Sequence, residues 1–125
     1  MVAYPHSPDM PRSHLPFSPC VKVDKLVFVS GQASVDATGA IVPGTFEEEM
    51  RRAIANLEKV LKAAGTNLSG VIQTRNYVRD AEDLAAFNRL YLEFFHAPFP
   101  ARTTITNCLP PALRYEIECI AVAPA

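Results

Sequence analysis

Cysteine is scarce in this chain, with three among 125 residues. Cys20, Cys108 and Cys119 are odd in number and include no Cys-x-x-Cys pair, which argues against a disulfide framework or a zinc knuckle. Thiols stay unpaired in a reducing compartment, so we expect a cytoplasmic protein.

Histidine is equally scarce, and His6, His14 and His96 are widely separated along the sequence. They do not show the His-x-x-x-His spacing that places two imidazoles on one face of a helix. We therefore expect surface or loop histidines and no histidine-bound metal.

Long hydrophobic runs and an excess of one charge are also missing. No apolar run approaches the roughly 20 residues of a membrane-spanning helix. Five prolines interrupt the first twenty residues, so we expect neither a signal peptide nor a membrane partner. The formal net charge is -1, which excludes a basic field that would attract the phosphates of nucleic acid. Nucleic acid is therefore a poor candidate partner.

The residues that are present are typical of an ordinary globular domain, with 49% hydrophobic and 20% charged side chains. A chain of this length buries about two thirds of its unfolded surface when it folds. We therefore expect a single domain over residues 1–125 with a modest hydrophobic core.

The spacing of apolar residues predicts the element order β-β-α-β-α-β-β. Steps of three and four residues predict two helices, from Thr45 to Ala64 and from Asp83 to Phe95. Runs of β-prone residues predict strands at 20–23, 26–30, 71–79, 102–107 and 113–122. Each helix has one apolar stripe, so we expect an α+β fold in which a single mixed sheet carries both helices on one face.

The second face of this sheet is expected to need a cover. Strict alternation along 71–79 would point Val71 and Tyr77 away from the helices and expose apolar area to water. Self-association would bury that area, whereas a curved sheet with a half-polar outer face would tolerate it. We expect an oligomer.

Three charged side chains in the last quarter of the chain suggest an anion site. Arg102 follows Pro98 and Pro100, which stiffen its approach, and a guanidinium can hold a carboxylate by two parallel hydrogen bonds. Glu116 and Glu118 project to the same face of a strand, so their repulsion predicts a raised pKa for one of them. Such a carboxylate can activate water, which suggests hydrolysis of a small acid. The alternatives are an ordinary ion pair for Arg102 and two solvated carboxylates.

Ser30-Gly31-Gln32 ends a strand with a hydroxyl, a backbone open to close approach and an amide. It is either a polar cradle for a ligand or a turn that ends the strand. A serine triad is not expected, because no histidine is nearby and no Gly-x-Ser-x-Gly elbow occurs. Asn88 lies beside the apolar stripe of the second helix, where it would reach a ligand or cap a loop.

Several separated motifs occur in an order that resembles the RidA (YjgF/YER057c/UK114) family of small enamine and imine deaminases. The resemblance spans almost the whole chain. Its motifs are Leu26-Val27-Phe28-Val29-Ser30-Gly31-Gln32, Leu61-Lys62-Ala63-Ala64-Gly65, Asn88 with Tyr91 and Phe94-Phe95, Phe99-Pro100-Ala101-Arg102, and Glu116-Ile117-Glu118-Cys119-Ile120-Ala121.

The resemblance implies a chorismate-mutase-like fold, a homotrimer whose three sheets form a central barrel, and three clefts between subunits. By the family's pattern, Arg102 binds the substrate carboxylate and Glu116 orients the attacking water. Ser30, Gly31 and Asn88 help to shape the cleft. The implied reaction converts 2-aminoacrylate, its tautomer 2-iminopropanoate, and 2-iminobutanoate to 2-keto acids and ammonia, with no cofactor.

Two positions depart from the best-known deaminases of that family. Phe17 stands in place of a tyrosine, and Thr104 stands where a cysteine is often found. We expect both to line the substrate site, and Phe17 would extend its apolar wall toward a larger enamine such as 2-aminomuconate. Two other interpretations stay open, namely the L-PSP endoribonuclease or translation-inhibitor activity and a trimer that binds small acids without converting them.

Overall fold

One six-stranded sheet and two helices make up the computed structural model, which describes residues 1–124. The elements are β1 (Val2–Ala3), β2 (Cys20–Val23), β3 (Leu26–Ala33), α1 (Phe46–Ala63), β4 (Val71–Val78), α2 (Leu84–Phe94), β5 (Ala101–Thr106) and β6 (Tyr115–Val122). The spatial order is β1-β2-β3-β6-β4-β5, and β4 and β5 run parallel while the other pairs are antiparallel. The predicted mixed sheet and α+β class are confirmed, and β1 is an additional short strand.

Helix α1 begins and ends within one residue of its predicted bounds, and capping interactions close both ends. The Thr45 hydroxyl accepts the backbone N–H of Glu48 at 3.2 Å, and the Glu48 carboxylate accepts the backbone N–H of Thr45 at 2.8 Å. This reciprocal capping box satisfies two N–H groups that the helix itself leaves unpaired. At the other end Gly65 adopts a φ of 85°, a left-handed conformation that glycine takes without a steric penalty.

Helix α2 begins one residue later than predicted, because a 3-10 turn at Ala81–Asp83 precedes it. Its buried face includes Phe87, Leu90 and Tyr91. Within the described residues, neither helix combines the length and apolar character needed to cross a membrane.

The two faces of the sheet differ in character. One face, here called the covered face, packs against both helices through residues such as Tyr115 and Ile117 of β6, which are fully buried. The opposite face, here called the open face, carries the alternate residues of β6, which include Glu116 and Glu118. Apolar side chains also lie on the open face and remain partly exposed, namely Leu26, Phe28, Ile120 and Val122.

The predicted placement of Val71 on the open face is wrong. Val71 is 7% exposed and belongs to the core. A register shift between Val71 and Gln73 marks a β-bulge, and the extra residue, Ile72, reverses the alternation at the start of β4. Tyr77 does lie on the open face as predicted, opposite Glu116.

We predict that Thr45→Ala lowers the free energy of unfolding by about 1 kcal/mol, because the capping box loses its hydroxyl acceptor. Thr45→Ser keeps that acceptor and is the matched control. Urea denaturation followed by circular dichroism measures both. Equal stabilities for the alanine and serine variants would contradict the assigned role of the cap.

Candidate active site

Gly31 and Glu116 meet on neighbouring strands at a β-bulge. The register of β3 against β6 shifts between Val29 and Gln32, and the bulge contains Gly31. A Cβ atom added at Gly31 would lie 2.9 Å from Cδ of Glu116 and closer still to its Oε2. The glycine therefore leaves the space that the carboxylate occupies.

Within residues 1–124, only one of the two glutamates of β6 has a side-chain partner. Glu118 accepts a hydrogen bond from the Tyr77 hydroxyl and pairs with Arg75, whose Nη1 is 3.7 Å from Oε2. Glu116 has no hydrogen bond or ion pair within residues 1–124. Burial raises the pKa of Glu116, and the negative charge of Glu118 raises it further. The predicted pKa increase is thus confirmed for Glu116, which stays available to bind water.

A cavity of about 600 Å³ adjoins Glu116. Phe17, Ser30 and Gly31 line it together with Glu116, and Phe17 is 52% exposed there. Ser30 donates its hydroxyl to the carbonyl oxygen of Ser18 at 2.6 Å, so this serine ties the N-terminal segment to the sheet. We call Phe17, Ser30, Gly31 and Glu116 the glutamate cluster.

Arg102 lies on the covered face of the edge strand β5, opposite Thr74 of β4. Its Cζ atom is 5.0 Å from the ring centroid of Phe87 and 4.9 Å from that of Tyr91. Within the described part of the chain Arg102 forms no ion pair, so the ordinary ion pair considered from the sequence does not occur. Its N–H donors can therefore reach a ligand.

Two further predicted residues lie on the same side of the molecule as Arg102. Thr104 shares its face of β5, and the Thr104 hydroxyl is buried without a hydrogen-bond partner in the described chain. A buried hydroxyl of this kind can be satisfied by a bound polar group. Asn88 is exposed on α2, between Phe87 and Tyr91 in sequence. We call Asn88, Arg102 and Thr104 the arginine cluster.

The two clusters do not meet within one chain. Glu116 projects from the open face of the sheet, whereas Arg102 projects from the covered face, two strands away. The structure thus brings Phe17, Ser30, Gly31 and Glu116 to one cavity, whereas Arg102 and Thr104 share a face of β5 and Asn88 stands on the adjacent helix α2. The aromatic support of Arg102 was missed, because Phe87 and Tyr91 belong to an apolar stripe that predicts only core packing.

The three histidines are exposed loop residues, as predicted; His6 and His14 lie between β1 and β2, and His96 lies between α2 and β5. Within residues 1–124 no group of three His, Cys, Asp or Glu side chains is arranged to hold a metal ion. Cys20 and Cys119 are buried, and all three cysteines are free thiols.

Comparison with known proteins identifies the family. A family model described as Endoribonuclease L-PSP matches residues 8–123. The chain belongs to the L-PSP family. Among solved structures, a protein of the conserved Rid family from Yersinia pestis superposes with a TM-score of 0.90 at 26% identity, covering 98% of this chain and 100% of the other. The resemblance to the RidA proteins is confirmed by these L-PSP and Rid matches.

Two further similar proteins carry a name or a structure title that mentions a small molecule. A Capra hircus protein called 2-iminobutanoate/2-iminopropanoate deaminase is 39% identical over 109 residues, which are 86% of this chain and 80% of that protein. The crystal structure of E. coli TdcF with bound serine has a TM-score of 0.87 at 29% identity and covers 98% of this chain and 99% of TdcF.

We predict that the pKa of Glu116 lies above the ordinary value of glutamate and that Glu118→Gln lowers it, because the substitution removes the nearby negative charge. Because the Glu116 pKa is higher in the folded than in the unfolded state, the free energy of unfolding falls as the pH rises from the unfolded-state pKa through the folded-state pKa. Carbon-13 NMR of the side-chain carboxyls measures the titration. Glu93→Gln, which alters an exposed acid on α2, is the control and should leave the Glu116 curve unchanged.

Proposed function

We propose that this protein is an imine deaminase that hydrolyses 2-iminopropanoate, its enamine tautomer 2-aminoacrylate, and 2-iminobutanoate to 2-keto acids and ammonia. The observation that carries the proposal is a pair of opposite charges, the Arg102 guanidinium and the Glu116 carboxylate, neither of which forms an ion pair within residues 1–124. The goat relative's name supports this substrate class, and the serine bound to TdcF supports a small amino-acid-like ligand.

The arginine cluster would bind the substrate carboxylate. A guanidinium donates two parallel N–H bonds to a carboxylate, and here no acid within residues 1–124 competes for them. The buried Thr104 hydroxyl supplies a further polar group on the same strand face. Asn88 would border the same site from α2.

Glu116 would orient and deprotonate the attacking water. The oxygen of water bonds to the imine carbon, the π electrons move to nitrogen, and nitrogen takes a proton to give a carbinolamine. In the collapse of that adduct the hydroxyl proton passes to nitrogen, the keto C=O bond forms, and the C–N bond breaks to release ammonia. The raised pKa of Glu116 makes its carboxylate a better proton acceptor, and the absence of a side chain at Gly31 leaves the space in which it lies.

We propose a homotrimer in which the arginine cluster of one subunit faces the glutamate cluster of the next. The separation of Arg102 and Glu116 on opposite faces supports this arrangement, because one chain cannot place both against a three-carbon substrate. The partly exposed Leu26 and Phe28 on the open face supply apolar area for the contact. We also propose that the chain is one domain of this family and acts in the cytoplasm.

A larger enamine such as 2-aminomuconate is a second candidate substrate. The cavity beside Glu116 measures about 600 Å³, a volume in the usual range for sites that enclose drug-sized ligands. Phe17 and Leu15 give part of it an apolar wall. A higher kcat/KM for a six-carbon than for a three-carbon enamine would favour this substrate.

RNA cleavage is the function suggested by the family's endoribonuclease name. The net charge of -1 and the scattered, exposed histidines argue against it. Cleavage of a defined RNA by the purified protein that disappears in Arg102→Ala would favour it. Binding of 2-keto acids without turnover of any imine would favour a role in sequestering small acids.

We predict that Arg102→Ala lowers kcat/KM for 2-aminoacrylate by roughly 10- to 150-fold, because it removes charge-assisted hydrogen bonds to the carboxylate. Arg102→Lys keeps the charge but not the two-pronged geometry and should recover only part of the loss. A serine dehydratase generates the substrate, and release of keto acid is followed against buffer alone. Arg89→Ala, which removes an exposed arginine of α2, should retain activity. If the wild-type protein does not accelerate the release of keto acid over buffer, the proposed function is wrong.

We predict that Arg102→Ala and Glu116→Gln chains complement each other when unfolded together and refolded. Each mixed trimer contains one interface with an intact arginine and an intact glutamate, so random mixing should restore about a quarter of the wild-type activity. Each variant refolded alone is the control. Absence of complementation, with mixed trimers shown by native mass spectrometry, would place both residues in the same subunit's site.

A further inference from the structure

The Arg102 guanidinium is oriented by aromatic rings instead of by an acid. The rings of Phe87 and Tyr91 in α2 lie against the guanidinium, and their centroids are 5.0 and 4.9 Å from Cζ of Arg102. Cation–π contact attracts the guanidinium to the ring faces without using its N–H groups. An acid in the same place would occupy the donors that a substrate carboxylate needs.

A buried chain of hydrogen bonds holds the Tyr91 ring in place. The Tyr91 hydroxyl shares a 2.8 Å hydrogen bond with Thr74 Oγ1, and Asn76 Nδ2 donates to the same Oγ1 at 3.0 Å. The Tyr115 hydroxyl then donates to Asn76 Oδ1 at 2.6 Å. Tyr91 is 4% exposed and the other three side chains are 0% exposed. Breaking a bond in this chain would leave a buried polar group unpaired, so the chain strongly favours one arrangement.

The strand register places these buried hydrogen bonds beside Arg102. Thr74 is the partner of Arg102 across the parallel pair of β4 and β5. The arginine side chain therefore leaves the sheet beside the threonine that holds the Tyr91 hydroxyl. Phe95 stacks against the Tyr91 ring with centroids 4.5 Å apart, which further limits its movement.

We propose that Tyr91, Thr74 and Asn76 are positioning residues for Arg102 and that they set the affinity for the substrate carboxylate. The proposal rests on the imine deaminase function proposed above. It adds that the arginine alone is insufficient, since its long side chain must be ordered before it can bind by two hydrogen bonds. Tyr91 acts through Arg102 and does not itself touch the substrate.

Steady-state kinetics with 2-aminoacrylate test the proposal. Tyr91→Leu removes the ring and should raise KM by about three- to tenfold, with a smaller change in kcat. Tyr91→Phe and Thr74→Val each keep the ring but break the hydrogen bond between the Tyr91 hydroxyl and Thr74, so each should raise KM by less than Tyr91→Leu does. Phe46→Leu is the matched control, because it removes a buried ring that packs on Tyr115 and makes no cation–π contact with Arg102. A KM for Tyr91→Leu equal to that of Phe46→Leu would overturn the proposal.

NMR of the Arg102 Nε–Hε group separates this proposal from the proposed function, because it needs no turnover. Two ring faces should shift the Arg102 Hε proton upfield of the exposed Arg89 signal in the wild-type protein, with Arg102→Lys identifying the resonance. Tyr91→Leu and Thr74→Val should move that signal toward the Arg89 position, and Phe46→Leu should not. A wild-type Arg102 signal at the Arg89 position would overturn the positioning role even if the imine is hydrolysed. An upfield signal without hydrolysis would support the orientation of Arg102 by the Phe87 and Tyr91 rings and overturn only the proposed function.

Discussion

The pairing of β4 with β6 on one side and β5 on the other decides the arrangement of every candidate residue. Cross-strand partners share a face, so Thr74 and Arg102 lie on the covered face while Tyr77 and Glu116 lie on the open face. A shift of one residue in either pairing would exchange these faces. The buried hydrogen bonds along the covered face of β4 oppose such a shift, because they would have to break in the core.

The charges on the two faces are handled in opposite ways. Glu118 is satisfied by Tyr77 and Arg75, which leaves Glu116 as a partly buried carboxylate with a raised pKa. Arg102 is satisfied by aromatic ring faces, which leave its hydrogen-bond donors unused. Among the described residues each cluster thus presents one charge without an ion-pair partner, and the two charges suit the carboxylate and the hydrolytic water of the proposed reaction.

Most elements were predictable because their signals are local. The capping box at Thr45 and the left-handed Gly65 predict the bounds of α1 to within one residue. Alternation in β6 predicts that Glu116 and Glu118 share a face. Alternation in β4 predicted the wrong face for Val71. A bulge depends on how β4 pairs with β6, so it leaves no periodic signal in the residues of one strand.

By itself, the sequence determined the element order from β2 onward, the α+β class, the family motifs and the seven residues proposed for the site, because periodicity, capping and motif spacing act over short stretches of chain. Only the tertiary structure decided which of those residues lie together. The faces of Arg102 and Glu116, the glycine beneath the carboxylate and the rings beneath the guanidinium all depend on pairing between segments distant in sequence. Contacts of that kind follow from packing of the whole core, which no single segment encodes.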